Sequence, residues 1–402
     1  MDVFLVDKTA TYSYSYLMEK INCSISYCPI LKMNDLFEYF CELTLALISN
    51  KPLTLMDSDM EMDESISLEN NRTTLNNKQF SSVDQLINKV QISSSEITIF
   101  TSGTTGQPKK VTHTLSNLTR SVKISCKHQN QIWAFAYNPT HMAGLQVFFQ
   151  AFMNRNTLVN VFNASRSEIY DAIEQYQITH ISATPTFYRL LLPAEKSYET
   201  IQRITFGGEK SNEKLYDSMK QVFPNAKINN IYASTEAGSL FTAKGEYFEI
   251  PESMSDKVKI EDEELLIHKS LLGYSDSFIL SNGYYNTGDL VEWIDKPKRL
   301  FRFKNRKNEL INVGGYKINP QEVEDIISQI DSGIEQVLVY GKPNSVTGNI
   351  LCADIKLKTS CCISEIEIRQ YLRIKLPDYK IPRIIKFVES FIVTRTGKIK
   401  RV

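Results

Sequence analysis

Hydrophobic and polar positions along the chain follow two alternating periods, which together predict an α/β fold. The segment NDLFEYFCELTLALISNK (34–51) repeats its apolar residues with the period of a helix, and PLTLMD after it is a short strand-like run. The same alternation continues, in chain order, through LVNVF (strand), SEIYDAIEQY (helix), ITHISATP (strand), RITFGG (strand), EKLYDSMKQVF (helix) and KINNIYAS (strand). Strands that alternate with helices predict largely parallel sheets, which bind ligands at the strand ends.

The pattern changes in the last third of the chain. EELLIHKS and LVEWID indicate more antiparallel β structure. From about residue 309 the alternation restarts, in chain order, as ELINVGGYKI, the helix PQEVEDIISQI, the strands QVLVYG and NILCADIKL, the helix SEIEIRQYLRIKL and the segment RIIKFVES. We therefore predict a large N-terminal domain, residues 1–307, with mixed and parallel sheets flanked by helices plus a β subdomain. A small α+β C-terminal domain is predicted over residues 308–402.

Composition narrows the classes of function. A chain of 402 residues with 42% hydrophobic content can fill two cores. Its 46 basic residues balance its 46 acidic residues, so no overall charge attracts nucleic acid or an anionic membrane. The seven cysteines are odd in number and form no C-x-x-C pair, which favours a reducing compartment over a disulfide framework or a zinc site. Without a signal-like start or an apolar run of bilayer length, we expect a cytoplasmic protein with no nucleic-acid or membrane partner.

A stretch of small polar residues, TSGTTGQPK (101–109), directly follows the strand-like run EITIF. Its hydroxyl and glycine residues are Thr101, Ser102, Gly103, Thr104, Thr105 and Gly106. Glycines free the backbone and the hydroxyls add donors, so N–H and O–H groups can converge on an anion, and Lys109 adds a positive charge. The spacing is neither G-x-x-x-x-G-K-[ST] nor G-x-G-x-x-G. On these residues alone, a phosphate-binding loop and a flexible surface loop both stay open.

Later segments, in the same order along the chain, resemble the adenylate-forming superfamily of acyl-CoA synthetases, luciferases and carrier-loading adenylation domains. The resemblance runs from about Glu96 to the C-terminus and rests on TSGTTGQPK, NPTHMAGL, TFGGEK, NIYASTE, YNTGDL, NRKNELINVGGYKINPQEVE, LPDYKIP and RTGKIKR. Each segment alone could be a turn, a solvated carboxylate, a core histidine or a basic tail. Their ordered coincidence favours the family. The chain departs from the pattern at Lys110 and Ala233, where the family often has glycine, and at Asn308, where Asp or Lys is common.

The resemblance implies a nucleotide site. Residues 101–106 and Lys109 would hold the outer phosphates of ATP, and Glu236 would bind Mg²⁺ beside Thr235, which would touch phosphate. The residues implied at the adenine and ribose are Gly208, Glu209, Tyr232, Ala233, Ser234, Asp289 and Arg306. Among these, Tyr232 would stack on adenine, and Asp289 would accept hydrogen bonds from both ribose hydroxyls.

Two further implications concern the acid and the thiol. His141 lies in the motif of the acyl pocket, and Lys398 matches the lysine that acts in adenylation. The small C-terminal domain would be mobile: by rotating about Asn308 it would withdraw Lys398 and present the thiol channel. The channel residues implied are Gly314, Gly315 and Tyr316.

The implied activity is that of an AMP-forming acid–thiol ligase of the acyl-CoA synthetase type, which uses ATP, Mg²⁺ and coenzyme A. Its acid would be a small-molecule carboxylic acid. Met142 stands where amino-acid adenylation domains place an aspartate, so an amino acid is disfavoured. NPTHMAGLQVFF and YQITHISATPTFYRLLL resemble the o-succinylbenzoate-CoA ligase branch, but related small acyl-CoA synthetases share these features.

Three alternatives stay open from the sequence. The thiol could be the phosphopantetheine of an acyl carrier protein instead of free coenzyme A. A protein of another class, an inactive adenylate-binding sensor or scaffold, is disfavoured because Glu236, Asp289 and Lys398 are all present. The region before the glycine-rich loop is shorter than in most relatives, so both a monomer and a homodimer stay open.

Overall fold

The computed structural model describes residues 2–8, 10–32, 35–57, 72–75, 79–101, 109–209, 211, 213–243, 245–313, 316–331, 333–344, 347–358 and 361–391. The chain divides into two compact units. The first unit contains Met1–Val258, Ile267–Tyr285 and Asp295–Leu300, and the second contains Lys259–Leu266, Asn286–Ile294 and Phe301–Val402. Among the described residues, we find no helix that is both long enough and apolar enough to span a membrane.

The secondary structure follows the predicted alternation. The strands are β1 Val3–Asp7, β2 Ala10–Ser13, β3 Ser26–Tyr27, β4 Ile30–Lys32, β5 Leu53–Met56, β6 Thr73–Thr74, β7 Glu96–Thr101, β8 Lys109–Thr114, β9 Ile132–Phe135, β10 Thr157–Asn160, β11 His180–Ala183, β12 Arg203–Gly207, β13 Lys227–Ser234, β14 Gly238–Ala243, β15 Phe248–Glu249, β16 Val258–Glu261, β17 Glu264–His268, β18 Leu280–Ser281, β19 Tyr284–Asp295, β20 Leu300–Arg306, β21 Ile311–Val313, β22 Tyr316–Ile318, β23 Ile334–Asn344, β24 Gly348–Leu357 and β25 Ile384–Phe387. The helices are α1 Tyr14–Cys23, α2 Leu36–Ile48, α3 Val83–Gln91, α4 Leu115–Leu118, α5 Met142–Phe152, α6 Arg166–Tyr176, α7 Pro185–Leu190, α8 Glu213–Val222, α9 Pro320–Ser328 and α10 Glu365–Lys375.

The first unit is built on an eight-stranded sheet in the order β14-β13-β12-β11-β9-β10-β1-β2. Its inner strands pair in parallel, and the edge strands β2 and β14 are antiparallel to their neighbours. A second sheet of the same unit has the order β4-β5-β7-β8, with β8 antiparallel to β7. The predicted α/β fold with mixed and parallel sheets is confirmed.

Two hydrophobic cores lie on opposite faces of the large sheet. In β9, Trp133 and Phe135 belong to a core rich in aromatic residues, whereas Ala134, between them, belongs to the other core. This is the period of two that a strand imposes when both faces are covered. The aromatic core includes Phe40 and Phe148, whose rings stack at 4.6 Å and join the apolar helices α2 and α5.

The second unit contains strands from more than one sheet. The strands β20, β19, β17 and β16 are neighbours in that order. The sheet β23-β24-β25 packs with α9 and α10 around a core that includes Ile318, Val323, Ile327, Leu351 and Leu372. The small α+β fold predicted for the C-terminal region is confirmed. The boundary predicted at Asn308 concerns movement, which one conformation does not test, and it stays a prediction.

Candidate functional site

The two ends of the glycine-rich stretch are held in one sheet. In the antiparallel pair of β7 and β8, Thr101 is opposite Lys109 and Ile99 is opposite Val111. Lys109 is exposed at the start of β8. The loop between them, residues 102–108, lies outside the described residues, as does the side chain of Thr101. The predicted phosphate-loop residues that fall there are Ser102, Gly103, Thr104, Thr105 and Gly106.

The predicted adenine and metal residues lie at the carboxyl end of β13 and in the turn after it. Tyr232, Ala233 and Ser234 close the strand, and the chain then turns through Thr235 and Glu236 into β14. The Tyr232 ring stacks against Phe241 of β14, with 5.8 Å between ring centroids. The structure therefore brings these predicted residues together at the end of a strand in a largely parallel sheet, where such folds bind ligands.

The predicted glycine turn lies at the end of β12, next to β13 in the sheet. Gly208 has a φ of 81°, in the left-handed region that favours glycine. Glu209 accepts hydrogen bonds from the Thr186 backbone N–H (3.0 Å) and hydroxyl (2.7 Å), and it lies 3.8 Å from Arg189. This carboxylate fixes the turn to the start of α7.

His141 pairs with a carboxylate that the sequence reasoning missed. The His141 Nε2 atom lies 3.1 Å from both carboxylate oxygens of Asp57. Asp57 also accepts hydrogen bonds from the Thr140 hydroxyl and, at 3.0 Å, from Asn138 Nδ2. At 9% exposure, Asp57 is buried directly after β5. A charged residue that ends a hydrophobic strand run, as in PLTLMD, is the signal that could have found it.

In the second unit, neighbouring strands join the two predicted ribose residues. Asp289 of β19 is buried, and its carboxylate binds the guanidinium of Arg306, the last residue of β20. The Nε–Oδ1 distance is 2.5 Å and the Nη2–Oδ2 distance is 3.4 Å. The guanidinium fixes the orientation of this carboxylate, whose oxygens have further lone pairs that can accept hydrogen bonds from hydroxyl groups.

A second carboxylate missed in the sequence supports the turn before Asp289. Glu264 accepts hydrogen bonds from Lys307 Nζ (2.5 Å), Asn286 Nδ2 (3.0 Å) and the Gly288 N–H (2.9 Å). Burial raises the pKa of Glu264, but the hydrogen bonds from these three donors outweigh it and hold the pKa below its ordinary value. The ionised carboxylate of Glu264 therefore connects the turn before Asp289 to Lys307, the residue before Asn308.

Only some of the residues predicted for the hinge and the thiol channel lie within the described part of the chain. Asn308 lies in a short helical turn, Lys307–Glu309. Tyr316 begins β22, is 56% exposed and stacks on Tyr379 with 4.3 Å between ring centroids. The remaining predicted residues, Gly314, Gly315 and Lys398, lie outside the described residues.

The donor set fits a magnesium ion that is bound mainly through a substrate. Within the described part of the chain, no three His, Cys, Asp or Glu side chains are grouped to hold a metal. Magnesium keeps several waters and is commonly held by one or two carboxylates together with substrate phosphates. A single carboxylate, that of Glu236, acting together with substrate phosphates is compatible with such a site.

Comparison with known proteins extends the likeness across both units. Residues 44–263 match the family described as AMP-binding enzyme, and residues 322–398 match the AMP-binding enzyme C-terminal domain. A 2-succinylbenzoate–CoA ligase from Staphylococcus aureus (strain MSSA476) is 30% identical over 331 residues, which are 75% of this chain and 65% of that protein. The chain thus spans about two thirds of the length of this relative.

Two solved structures share the fold. The o-succinylbenzoate CoA synthetase from Bacillus subtilis, in complex with the acyl-adenylate intermediate OSB-AMP, has a TM-score of 0.71 and 20% identity. The comparison covers 99% of this chain and 94% of that one. ATP-bound MatB from Rhodopseudomonas palustris has a TM-score of 0.73 and 14% identity, over 99% and 94% of the two chains. At these identities the likeness establishes the fold.

Proposed function

This chain belongs to the AMP-binding enzyme family, and we propose that it is an ATP-dependent ligase that joins a carboxylic acid to a thiol. In the first half-reaction, an oxygen of the acid attacks the α-phosphate of ATP, and pyrophosphate leaves. In the second, the sulfur of coenzyme A attacks the acyl carbon, loses its proton, and AMP leaves. The observation that carries the proposal is the Thr235–Glu236 turn at the end of β13, within a chain that matches both family domains in order.

Charge stabilisation explains the residue types in the first half-reaction. Negative charge builds on the α-phosphate and the leaving pyrophosphate, so cations and donors placed in advance lower the barrier. When bound, Mg²⁺ supplies part of this charge, and Glu236 would hold it. Lys109 at the start of β8 and Lys398 would supply the rest, with the donors of residues 101–106.

Orientation of the nucleotide is assigned to the residues predicted at the ribose and the adenine. Asp289, oriented by Arg306, would accept hydrogen bonds from the ribose hydroxyls. Tyr232 would stack on the adenine, next to Gly208 and Glu209. Holding a reactant in place contributes to the rate by lowering the entropic cost of reaching the transition state.

The second half-reaction needs the adenylation lysine to leave. We assign this movement to a rotation of the C-terminal domain about Asn308, which would replace Lys398 by the channel residues Gly314, Gly315 and Tyr316. Two adjacent glycines suit a channel because a pantetheine arm leaves no space for side chains.

For the acid, we propose a 2-succinylbenzoate-type aryl carboxylic acid, supported by the name of the Staphylococcus aureus relative. The helix α5 begins with Met142, which offers no carboxylate to an amino-acid substrate. Free coenzyme A is the proposed acceptor. The odd number of cysteines and the lack of a C-x-x-C pair support a reducing, cytoplasmic compartment.

The test measures the two half-reactions separately. ATP–pyrophosphate exchange is screened against 2-succinylbenzoate, other aryl acids, fatty acids, malonate and amino acids, and thioester formation is then measured with coenzyme A and with phosphopantetheinylated carrier protein. We expect exchange with an aryl acid and thioester with free coenzyme A. Exchange with an amino acid, or thioester only on the carrier, would overturn the proposed substrate or acceptor. No exchange with any acid, despite ATP binding, would favour the adenylate-binding sensor.

One variant tests whether Lys398 acts only in the first half-reaction. Lys398→Ala should reduce acyl-adenylate formation by about 10²–10³-fold, because one preorganised cation is lost. Thioester formation from a supplied acyl-adenylate should persist. Equal loss in both half-reactions by a folded variant would contradict the withdrawal of Lys398 between them.

A further inference from the structure

The turn that carries Thr235 and Glu236 is held through three consecutive main-chain carbonyl groups. The three bonds are from His113 Nε2 to Thr235 O (2.8 Å), from the Gly273 N–H to Glu236 O (2.8 Å) and from Arg120 Nη1 to Ala237 O (2.7 Å). All three donors come from segments far away in the sequence, and two of them are side chains. A turn fixed at three successive peptide groups has little freedom to shift its side chains.

His113 is a donor of fixed tautomer. A carbonyl oxygen only accepts, so Nε2 must carry the proton in the bond to Thr235. The ring is fully buried, and its Nδ1 atom has no hydrogen-bond partner among the described residues. Burial lowers the pKa of His113 to about 4, so the imidazole is neutral at pH 7. A buried histidine with one bond therefore uses that bond to hold the turn.

Residues 273–274 lie beside β8, the strand that carries His113. Thr112 and Tyr274 exchange two main-chain hydrogen bonds, of 2.8 and 2.7 Å. A Cβ atom at Gly273 would lie 2.5 Å from the Cε1 atom of His113 and 2.7 Å from Val111. Because a side chain there would collide with the imidazole, glycine is required at position 273, and its N–H is available for Glu236.

Arg120 joins the other end of the turn to two segments. Its guanidinium donates to Ala237 O, to Leu271 O (3.0 Å) and to Asn117 Oδ1 (2.9 Å). The planar fork of an arginine can reach several acceptors at fixed angles, which the single ammonium group of lysine cannot reproduce. Arg120 therefore fixes the spacing between the turn and residue 271.

We propose that His113 and Arg120 are positioning residues, which hold the main chain under Glu236 so that its carboxylate meets the metal and the phosphates of ATP together. His113 lies four residues after Lys109 on β8, so one strand connects the predicted phosphate loop to this turn. The inference rests on the proposed function, because it takes Glu236 as the magnesium ligand. Neither residue contacts the substrate in this assignment.

The test compares a variant that removes the donor with one that keeps it. His113→Met fills a similar volume without a donor, whereas His113→Gln keeps an N–H near the position of Nε2. We expect His113→Met to weaken Mg²⁺ activation of pyrophosphate exchange by about 10–100-fold, the size found when partners behind a metal ligand are removed. His113→Gln should recover most of this loss. Arg120→Lys should show a defect of the same kind as His113→Met.

His180 provides the matched control. It is also a buried histidine of the first unit, with its pKa lowered to about 4 by burial, but it begins β11 and bonds to Thr179, the residue before that strand. His180→Met should lose stability without changing the Mg²⁺ dependence. If His113→Met loses stability like His180→Met and keeps the wild-type Mg²⁺ dependence, His113 is merely structural and the proposal is wrong.

A binding measurement separates this proposal from the proposed function. Mn²⁺ serves as a paramagnetic probe, and its binding to the protein is measured by electron paramagnetic resonance with ATP present and no acid added. We expect His113→Met to weaken this binding and His113→Gln to restore it, even if the acid has not been identified. Wild type that binds Mn²⁺–ATP but shows no exchange would count against the ligase and leave the positioning result intact. Equal Mn²⁺ affinity in wild type and His113→Met would overturn the positioning role.

Discussion

Two buried carboxylates, Asp57 in the first unit and Glu264 in the second, play the same structural part in different surroundings. Each accepts hydrogen bonds from three residues beside a predicted site residue. The donors to Asp57 are Asn138, Thr140 and His141, and those to Glu264 are Asn286, Gly288 and Lys307. The comparison shows how one side chain can fix a local turn or connect distant segments.

The difference lies in where the donors stand in the chain. The donors to Asp57 all come from residues 138–141, the turn that leads into α5. The donors to Glu264 come from the turn before Asp289 and from the residue before Asn308. Asp57 therefore holds one end of one helix. Glu264 connects the predicted ribose turn to the predicted hinge.

Exposure also differs between the two sets of donors. Thr140 is 3% exposed, whereas the Lys307 side chain is 51% exposed. Removing Asp57 leaves the partly buried Asn138 and His141 without this acceptor, but removing Glu264 allows water to solvate the ammonium group. Removing Asp57 should therefore mainly lower the stability of the fold, whereas removing Glu264 should mainly weaken nucleotide binding.

The largest effect is expected for Asp57→Ala. Breaking a buried pair by removing one partner costs about 3–5 kcal/mol, and here the partly buried His141 and Asn138 would lose their acceptor. The measurement is the free energy of unfolding of the first unit, followed by tryptophan fluorescence in urea; Trp133 lies in its core. Asp57→Asn keeps an acceptor oxygen and should lose less. An Asp57→Ala protein as stable as wild type would refute the structural part assigned to Asp57.

A smaller effect, located at the nucleotide, is expected for Glu264→Gln. The amide keeps one acceptor oxygen but turns an N–H group toward donors, so the turn before Asp289 should loosen. We expect the KM for ATP to rise about tenfold, which corresponds to about 1.4 kcal/mol, with little change in the KM for the acid. Glu263 is the matched control, because this adjacent glutamate pairs with Lys304 at the surface. Glu263→Gln should leave the KM for ATP unchanged, since surface ion pairs contribute little. An equal rise in both variants would mean that the turn does not depend on Glu264.

The fold was predictable because its signals are local. Helix α2 and strand β5 follow from apolar periods that lie within a few residues of each other. The residues predicted at the adenine and ribose come from motifs that are short and ordered, and their roles stay predictions. The structure brings Asp289 and Arg306 together, as the resemblance implied.

The supporting polar residues could not be predicted, for a physical reason. Asp57 meets His141 across 84 positions, and His113 meets Thr235 across 122 positions. A hydrogen bond between distant residues leaves no period in the sequence, and a lone His or Asp fits many environments. Glu264 lies closer to its partners, but its neighbours are acidic too, and nothing in EDEELLIH distinguishes it.

The smallest expected effect is a loss of amide protection at low pH, which tests whether the hydrogen bonds to Glu264 depend on its charge. The folded pKa of Glu264 lies below its unfolded value of 4.5. A group of this kind contributes stability that is fully present above its unfolded pKa and is lost as the pH falls through the folded pKa. The reporter is hydrogen exchange of the Gly288 amide, which donates to Glu264, after correction for the intrinsic pH dependence of exchange. Its protection should stay constant from pH 7 to about pH 5 and then fall as the carboxylate takes up a proton.

The Val291 amide is the control on the same strand, because it donates to the main-chain carbonyl of Glu263 and has no titrating acceptor. In Glu264→Gln, Gly288 should be less protected at pH 7 and should lose its separate acid dependence. Parallel behaviour of Gly288 and Val291 in the wild type would show that the charge of Glu264 does not hold the turn.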